Sequence, residues 1–190
     1  MNRIIVIQFT TLDGVVEDPD GADGTPDGGW AFRHGPEAVA GDKFRLGELL
    51  DTGAQLLGRR TWQNFAQIWP SRSDEFSTKM NAASKFVVSS TLTDVSGWQN
   101  SALLKGELID GVQRLRAERD VIVIGSTSIV HTLMEHDLVD EYRLLIFPTV
   151  VGSGRRLFAS RAAAGDLRLV SVEQSGAAVL IGYERGPTLT

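Results

Sequence analysis

The run Val121–Ile124 is apolar and β-branched at every position. A strand with no polar face must be covered on both sides, as parallel strands are inside an α/β sheet. It is closed by Gly125 and then by Ser126, Thr127 and Ser128, which head a helical stretch reaching His136. A second such run, residues 3–10, opens the chain with Gln8 as an interruption, and is short and β-branched enough to be a buried strand. Two buried strands 110 residues apart imply that the chain between them must bring them together.

That intervening chain alternates. Ala54–Gly58 reads as a short strand, Arg60–Ile68 as a helix, Asp74–Ala83 as a further short helix and Lys85–Ser89 as a strand. Glu107–Arg119 is amphipathic, with Leu108, Val112 and Leu115 on one face. Pro36–Leu50 also carries helical spacing, with Pro36 suited to a first turn. From Asp13 to Pro36, by contrast, Gly, Asp and Pro crowd together and cannot bury enough apolar surface to form an element. A loop this long in a compact domain is usually functional or mobile. The last third changes character: Glu141–Val151, Leu167–Gln174 and Ala177–Glu184 read as strands with few helices between them. The order predicts one α/β domain over residues 1–190, with a mainly parallel sheet finished by an antiparallel edge. The stretch 141–151 is a candidate edge for a homodimer.

Composition narrows the function. The chain has 190 residues, 42% of them hydrophobic, a net charge of -5 and no cysteine. The acidic balance argues against nucleic acid and anionic membrane surfaces as partners. Without cysteine there are no disulfides, thiolate nucleophiles or cysteine metal sites, and a reducing, cytoplasmic setting is favoured. No apolar run approaches membrane length. Of the three histidines, His131 and His136 are an i, i+5 pair whose side chains would point about 140° apart on a helix, a poor arrangement for zinc.

Any anion is therefore held locally, and the strand-to-helix turns are the places to hold it, because helix N-termini present unpaired amides. Gly58-Arg59-Arg60-Thr61 combines a close backbone approach with cationic and hydroxyl donors; alternatively, Gly58 merely ends a strand and the arginines are solvated. Gly125 to Ser128 is the second such turn, although its hydroxyls also suit simple N-capping. Ser89 and Ser90 follow a third apolar strand. All three clusters fall at strand C-terminal ends, where open α/β sheets bind ligands.

Taken together, Thr11-Leu-Asp-Gly-Val-Val, Leu57-Gly-Arg-Arg-Thr-Trp-Gln-Asn-Phe, Phe86-Val-Val-Ser-Ser-Thr-Leu, Ile122-Val-Ile-Gly-Ser and the long run from Leu138 to Phe158 resemble the dihydrofolate-reductase-like family that includes the reductase domain of bacterial riboflavin biosynthesis, the RibD C-terminal type. The resemblance spans nearly the whole chain in order. It implies a three-layer fold with about eight strands and helices on both faces, NADPH as hydride donor, and a homodimer. By the same resemblance, Gly58, Arg59, Arg60 and Thr61 would lie along the pyrophosphate and adenosine side, with Ser89 and Ser90 near the 2′-phosphate. Gly125, Ser126, Thr127, Ser128 and Ile129 would pass under the nicotinamide and phosphates, and Leu12–Val16 would begin the covering loop. The family usually has Gly-Gly where this chain has Gly125-Ser126, which lessens the expectation of unusual backbone geometry there. Riboflavin-pathway members carry an acid where this chain has Ile124, which weighs against that pathway's own substrate.

The hydride chemistry belongs to the cofactor, so the protein's share is orientation and a proton. The resemblance points to Asp42 as the carboxylate that would orient a pterin-like ring or an aminouracil carrying a phosphoribosyl group; the competing reading is a surface acid beside Lys43 and Arg45. Asp13 is the runner-up. Trp30 and Phe32 either wall a planar substrate or anchor the loop, and His131 and His136 read as ordinary helix residues. Three functions follow: a reductase of a small planar heterocycle, a nucleotide-binding module without turnover, and a structural role for the dimer.

Overall fold

A computed structural model describes residues 2–159 and 165–186. Its centre is an eight-stranded sheet ordered β4-β3-β2-β5-β1-β6-β8-β7. The strands are β1 (Ile4–Thr11), β2 (Ala54–Gly58), β3 (Ser84–Val88), β4 (Ser101–Leu103), β5 (Val121–Gly125), β6 (Glu141–Phe147), β7 (Leu167–Ser175) and β8 (Ala178–Arg185). The first six in this order run parallel; β8 and β7 are antiparallel to their neighbours.

The helices cover both faces because the central strands are apolar on both. In β1, Ile4 and Val6 pack with α4 (Leu108–Glu118) and α5 (Thr127–Glu135), through Val112, Leu115, Ile129, Val130 and Leu133. Ile5 and Ile7 point the other way, to α1 (Leu49–Thr52), α2 (Arg59–Ile68) and α3 (Glu75–Ala82), through Leu50, Trp62 and Met80. This alternation is the two-residue period of a strand. A third cluster, Trp30, Ala31, Leu145, Phe147 and Leu180, closes the core under the long loop.

Three expectations change. Pro36–Leu50 is not one helix: a 3₁₀ turn covers Pro36–Ala38 and α1 only Leu49–Thr52. Gly41, Arg45 and Gly47 between them have positive φ, at 73°, 53° and 45°, which a right-handed helix does not admit. The strand expected to Val151 stops at Phe147, before Pro148, which has no amide to continue a ladder. More consequentially, β6 lies between β1 and β8 and is hydrogen-bonded on both sides, so it is no edge for a partner. The sheet's edges are β4, three residues long and absent from the sequence reading, and β7.

Candidate active site

The order of the strands creates the site. After β1 the chain goes to β2, β3 and β4 on one side; after β5 it crosses to β6 on the other. The topological switch therefore lies between β1 and β5, the position at which α/β sheets bind ligands. The two strands also part there. Their ladder covers only Ile4–Val6 against Val121–Val123, while β1 continues along β6 as far as Thr11 opposite Phe147. On its far side β5 bulges, since Leu56 pairs with Val123 but Leu57 with Gly125, leaving Ile124 as the extra residue. A slot, in the sense of a gap in the ladder, thus separates the end of β1 from Ile124–Gly125. Gln8, the polar interruption in an apolar strand, spans it, its Nε2 donating to the Ile124 carbonyl at 3.3 Å.

Two helices begin at this slot. Gly58 is the N-cap of α2 and Ser126 that of α5, and neither N-terminus has a side-chain cap. They touch: a Cβ on Gly58 would lie 2.8 Å from Ser126 Oγ and 2.9 Å from Ser126 N, and a Cβ on Gly125 would lie 3.3 Å from Thr61 Oγ1. The Gly125–Ser126 peptide is cis and Gly125 has φ 131°, so serine in the second position has not removed the unusual backbone geometry. Ser126 Oγ and Ser128 Oγ are 2.8 Å apart. Arg59 and Arg60 are exposed in the first turn of α2, and among the described residues neither forms an ion pair. Two cations that form no ion pair among the described residues thus stand beside two helix N-termini without side-chain caps.

Other expected residues stand elsewhere. Ser89 and Ser90 follow β3, one strand beyond β2; the Ser89 hydroxyl accepts from the amides of Thr91 (3.1 Å) and Leu92 (2.9 Å). The Ile129 side chain is buried in the core beneath α5 and its amide is bonded to the Ser126 carbonyl, so it supports the turn from behind. Asp42 holds its own turn: its oxygens accept from the amides of Leu46 and Gly47, each at 2.7 Å. That loop presses Phe44 onto Phe9 of β1, ring centroids 5.3 Å apart.

Asp13 is a latch, which the sequence did not disclose. It accepts from Thr11 Oγ1 (2.6 Å) and from the amides of Gly152 (2.8 Å) and Val151 (3.2 Å). The Thr11 hydroxyl first, then the Gly152 amide, hold its carboxyl down at about 2. With Leu12 donating to Thr149 O and Val15 bridging to Arg156, this ties the loop after β1 to the segment after β6. Leu12 stands at its tip, 68% exposed. Trp30 is buried, donates to Glu17 O and packs edge-on against Phe147, so it anchors the long loop, whereas Phe32 is exposed. His131 Nε2 donates toward the Arg156 and Leu157 carbonyls, joining α5 to the same latch, and His136 bonds Thr132 O at the helix end. Among the described residues no group of three His, Asp or Glu is disposed to hold a metal, and no helix is long and apolar enough to cross a membrane.

Comparison with known proteins fits this geometry. The family model described as the RibD C-terminal domain matches residues 2–181. The chain belongs to the RibD C-terminal domain family. A relative in Bacillus subtilis, the uncharacterised protein YyaP, is 26% identical over 185 residues, covering 94% of this chain and 92% of that protein. Among solved structures, a putative riboflavin biosynthesis protein from Shewanella sp. PV-4 superposes with a TM-score of 0.74 at 22% identity, over 97% of this chain and 99% of that one. The Thermotoga maritima diaminohydroxyphosphoribosylaminopyrimidine deaminase/5-amino-6-(5-phosphoribosylamino)uracil reductase does so with 0.64 at 16% identity, over 97% of this chain and 57% of the longer protein. At these identities the structures establish the shared three-layer fold of RibD C-terminal domains.

Proposed function

We propose that this RibD C-terminal domain is an NADPH-dependent reductase that transfers a hydride to a small planar heterocycle of the pterin or aminopyrimidine class. The observation that carries the reading is the meeting of two uncapped helix N-termini, at Gly58 and Ser126, beside the slot between β1 and β5. A dinucleotide needs both parts, anion donors for its pyrophosphate and a narrow opening for its ring, and here they adjoin. The free amides at the start of α2 and of α5, with Arg59, Arg60 and the Thr61 hydroxyl, would hold phosphate, and Ser89 and Ser90 lie on the side suited to the 2′-phosphate. When bound, the reduced nicotinamide supplies the hydride. Gln8 and the Ile124 carbonyl fix the width of the slot, and Leu12 is placed to exclude water from its mouth. Lack of cysteine agrees with a cytoplasmic setting.

One observation favours a second reading, nucleotide binding without turnover. The carboxylates nearest the expected catalytic role are both spent on the backbone, Asp42 on Leu46 and Gly47 and Asp13 on Val151 and Gly152, and Ile124 is apolar. The proton then has to come from water or from a group on the substrate.

Titration with NADPH and, separately, NADH, followed by tryptophan fluorescence, tests the first reading. Trp62 lies in α2, two residues after Arg60. NADPH should bind more tightly than NADH, and Arg60→Ala should weaken NADPH by about tenfold, the effect of losing one charge-assisted contact. Absence of binding by either nucleotide removes the reading; binding without oxidation of NADPH by any pterin or aminopyrimidine selects the second.

A further inference from the structure

The two sides of the slot are opposite in charge. On the β2 side stand Arg59 and Arg60, in the first turn of α2. On the β6 side lies the loop after β1, held there by the bridge from Val15 to Arg156 and by Trp30 against Phe147. From Asp13 to Phe32 this loop carries six carboxylates and no lysine or arginine. Two of the six meet arginines, Asp13 with Arg156 at 3.6 Å and Glu17 with Arg155 at 3.4 Å. Asp18 is buried and accepts from the amides of Asp23 and Thr25 and from the Thr25 hydroxyl, each at 2.9 Å, so it builds the loop itself. Asp20, Asp23 and Asp27 form no ion pair among the described residues, and Arg33 donates instead to the carbonyls of Asp27 and Gly28.

A cavity of about 120 Å³ opens on this acidic side, lined by Val15, Val151 and Trp30 and by Glu17, Asp27 and Ser153. Because β6 adjoins β1, it stands about one strand spacing from the slot. Sites that enclose a whole ligand have about 300 Å³ or more, so this one admits a substituent and not a ring system. The Arg155–Glu17 pair is exposed, and exposed pairs contribute little. A cation on a bound molecule can therefore take the place of Arg155 at small cost.

We propose that the substrate of this site carries a basic substituent such as a primary amine, not a phosphate, and that Glu17 and Asp27 receive it in this cavity. The proposal rests on the reductase reading above and assigns the charge of the substrate. The phosphates of the cofactor then lie toward Arg59 and Arg60 while the substituent points the other way, its carbon stem covered by Trp30, Val15 and Val151. A phosphate in the same place faces the unpaired carboxylates of the loop, a repulsion that weakens binding by about tenfold in low salt when the charges lie roughly a Debye length apart.

Three 7,8-dihydropterins that differ only in the 6-substituent, aminomethyl, hydroxymethyl or phosphooxymethyl, provide the test. Dissociation constants on the NADPH-loaded protein come from isothermal titration calorimetry, which reads binding whether or not hydride is transferred. The aminomethyl compound should bind about tenfold more tightly than the hydroxymethyl one and about a hundredfold more tightly than the phosphate, and high salt should narrow the second gap. Glu17→Gln and Asp27→Asn, isosteric changes that should leave the melting curve in place, should each lower the preference for amine over hydroxyl by about threefold or more. Equal or tighter binding of either other compound overturns the proposal, as does an amine preference that both variants retain, or failure of all three to bind. If NADPH itself does not bind, the reductase reading fails and this one with it; NADPH binding with the phosphate preferred removes this one alone.

Discussion

The contact between the two helix N-termini can be tested by one methyl group. Gly58 has φ -74°, a value any residue adopts, so Gly58→Ala carries no backbone penalty of its own. Its Cβ, however, would stand 2.8 Å from Ser126 Oγ, 2.9 Å from Ser126 N and 3.0 Å from Ser126 Cβ. A hydroxyl can rotate away; the backbone nitrogen cannot. Relieving the contact means separating the starts of α2 and α5. Overpacking of this kind costs about 1–3 kcal/mol, offset by about 0.4–1 kcal/mol because alanine restricts the unfolded chain. A net loss of about 1–2 kcal/mol should lower the melting temperature by roughly 2–8 °C in a protein of this size. Ser126→Gly removes Oγ and Cβ but leaves the nitrogen, so the double variant should recover part of the loss, a coupling readable from a double-mutant cycle. Thermal melts of the four proteins give the cycle, and NADPH titrations on the same samples should show Gly58→Ala weakened more than its stability alone explains. Unchanged melting and unchanged nucleotide affinity in Gly58→Ala would refute the account of the site as two turns in contact.

Three further outcomes are expected. Gly125→Ala should destabilise by about 1–3 kcal/mol in chemical denaturation and abolish nucleotide binding, because φ 131° is a conformation that side chains rarely adopt and the new Cβ meets Thr61 Oγ1 at 3.3 Å. Lys85 is fully buried, donates to the carbonyls of Ala83 (2.7 Å), Asn81 (2.9 Å) and Gln99 (3.2 Å), and lies 4.3 Å from the centre of the Trp98 ring. Lys85→Met leaves those carbonyls unpartnered and should cost about 2–4 kcal/mol by urea unfolding. Burial pushes the Lys85 amine down from 10.5 to about 8, so between these values the unfolded chain binds the extra proton and wild-type stability should rise with pH there, a rise absent from Lys85→Met. For Asp13 the sign is opposite in origin: its carboxyl, held down at about 2 from 3.8, contributes stability above about 4 that is lost as pH falls toward 2. Melting curves of wild type and Asp13→Asn should therefore differ at neutral pH and converge below pH 2.

The parts of the molecule that were legible in the sequence are those where local pattern and burial agree. Val121–Ile124 is apolar throughout because β5 is covered on both faces, and the run ends at Gly125 because the chain must turn into α5 there. Where one pattern admits two outcomes, the tertiary setting decides. Pro36–Leu50 has helical spacing, yet Phe44 and Leu46 reach the core from a looped backbone, because Asp42 can satisfy two amides of a turn better than it can serve inside a helix. The stretch 141–151 reads as a strand and is one as far as Phe147, but its sequence does not tell which neighbours it has; only the crossover from β5 puts β6 inside the sheet and β7 outside.

The slot shows the same limit at the site itself. Each turn announces itself by glycine and hydroxyl residues, but their juxtaposition depends on β2 and β5 being neighbours, which no spacing in the chain encodes. Nor does any motif record that β1 and β5 part after Val6 and Val123. One residue does carry a trace of it. Gln8 is polar and half-buried directly after the buried apolar run Ile4–Ile7, and an amide withdrawn from water is retained where it has a partner. Its partner is the carbonyl of Ile124, the residue that the bulge in β5 leaves out of the ladder. The polar interruption in β1 and the extra residue in β5 are thus two sides of one feature, the place where the pairing of β1 with β5 ends.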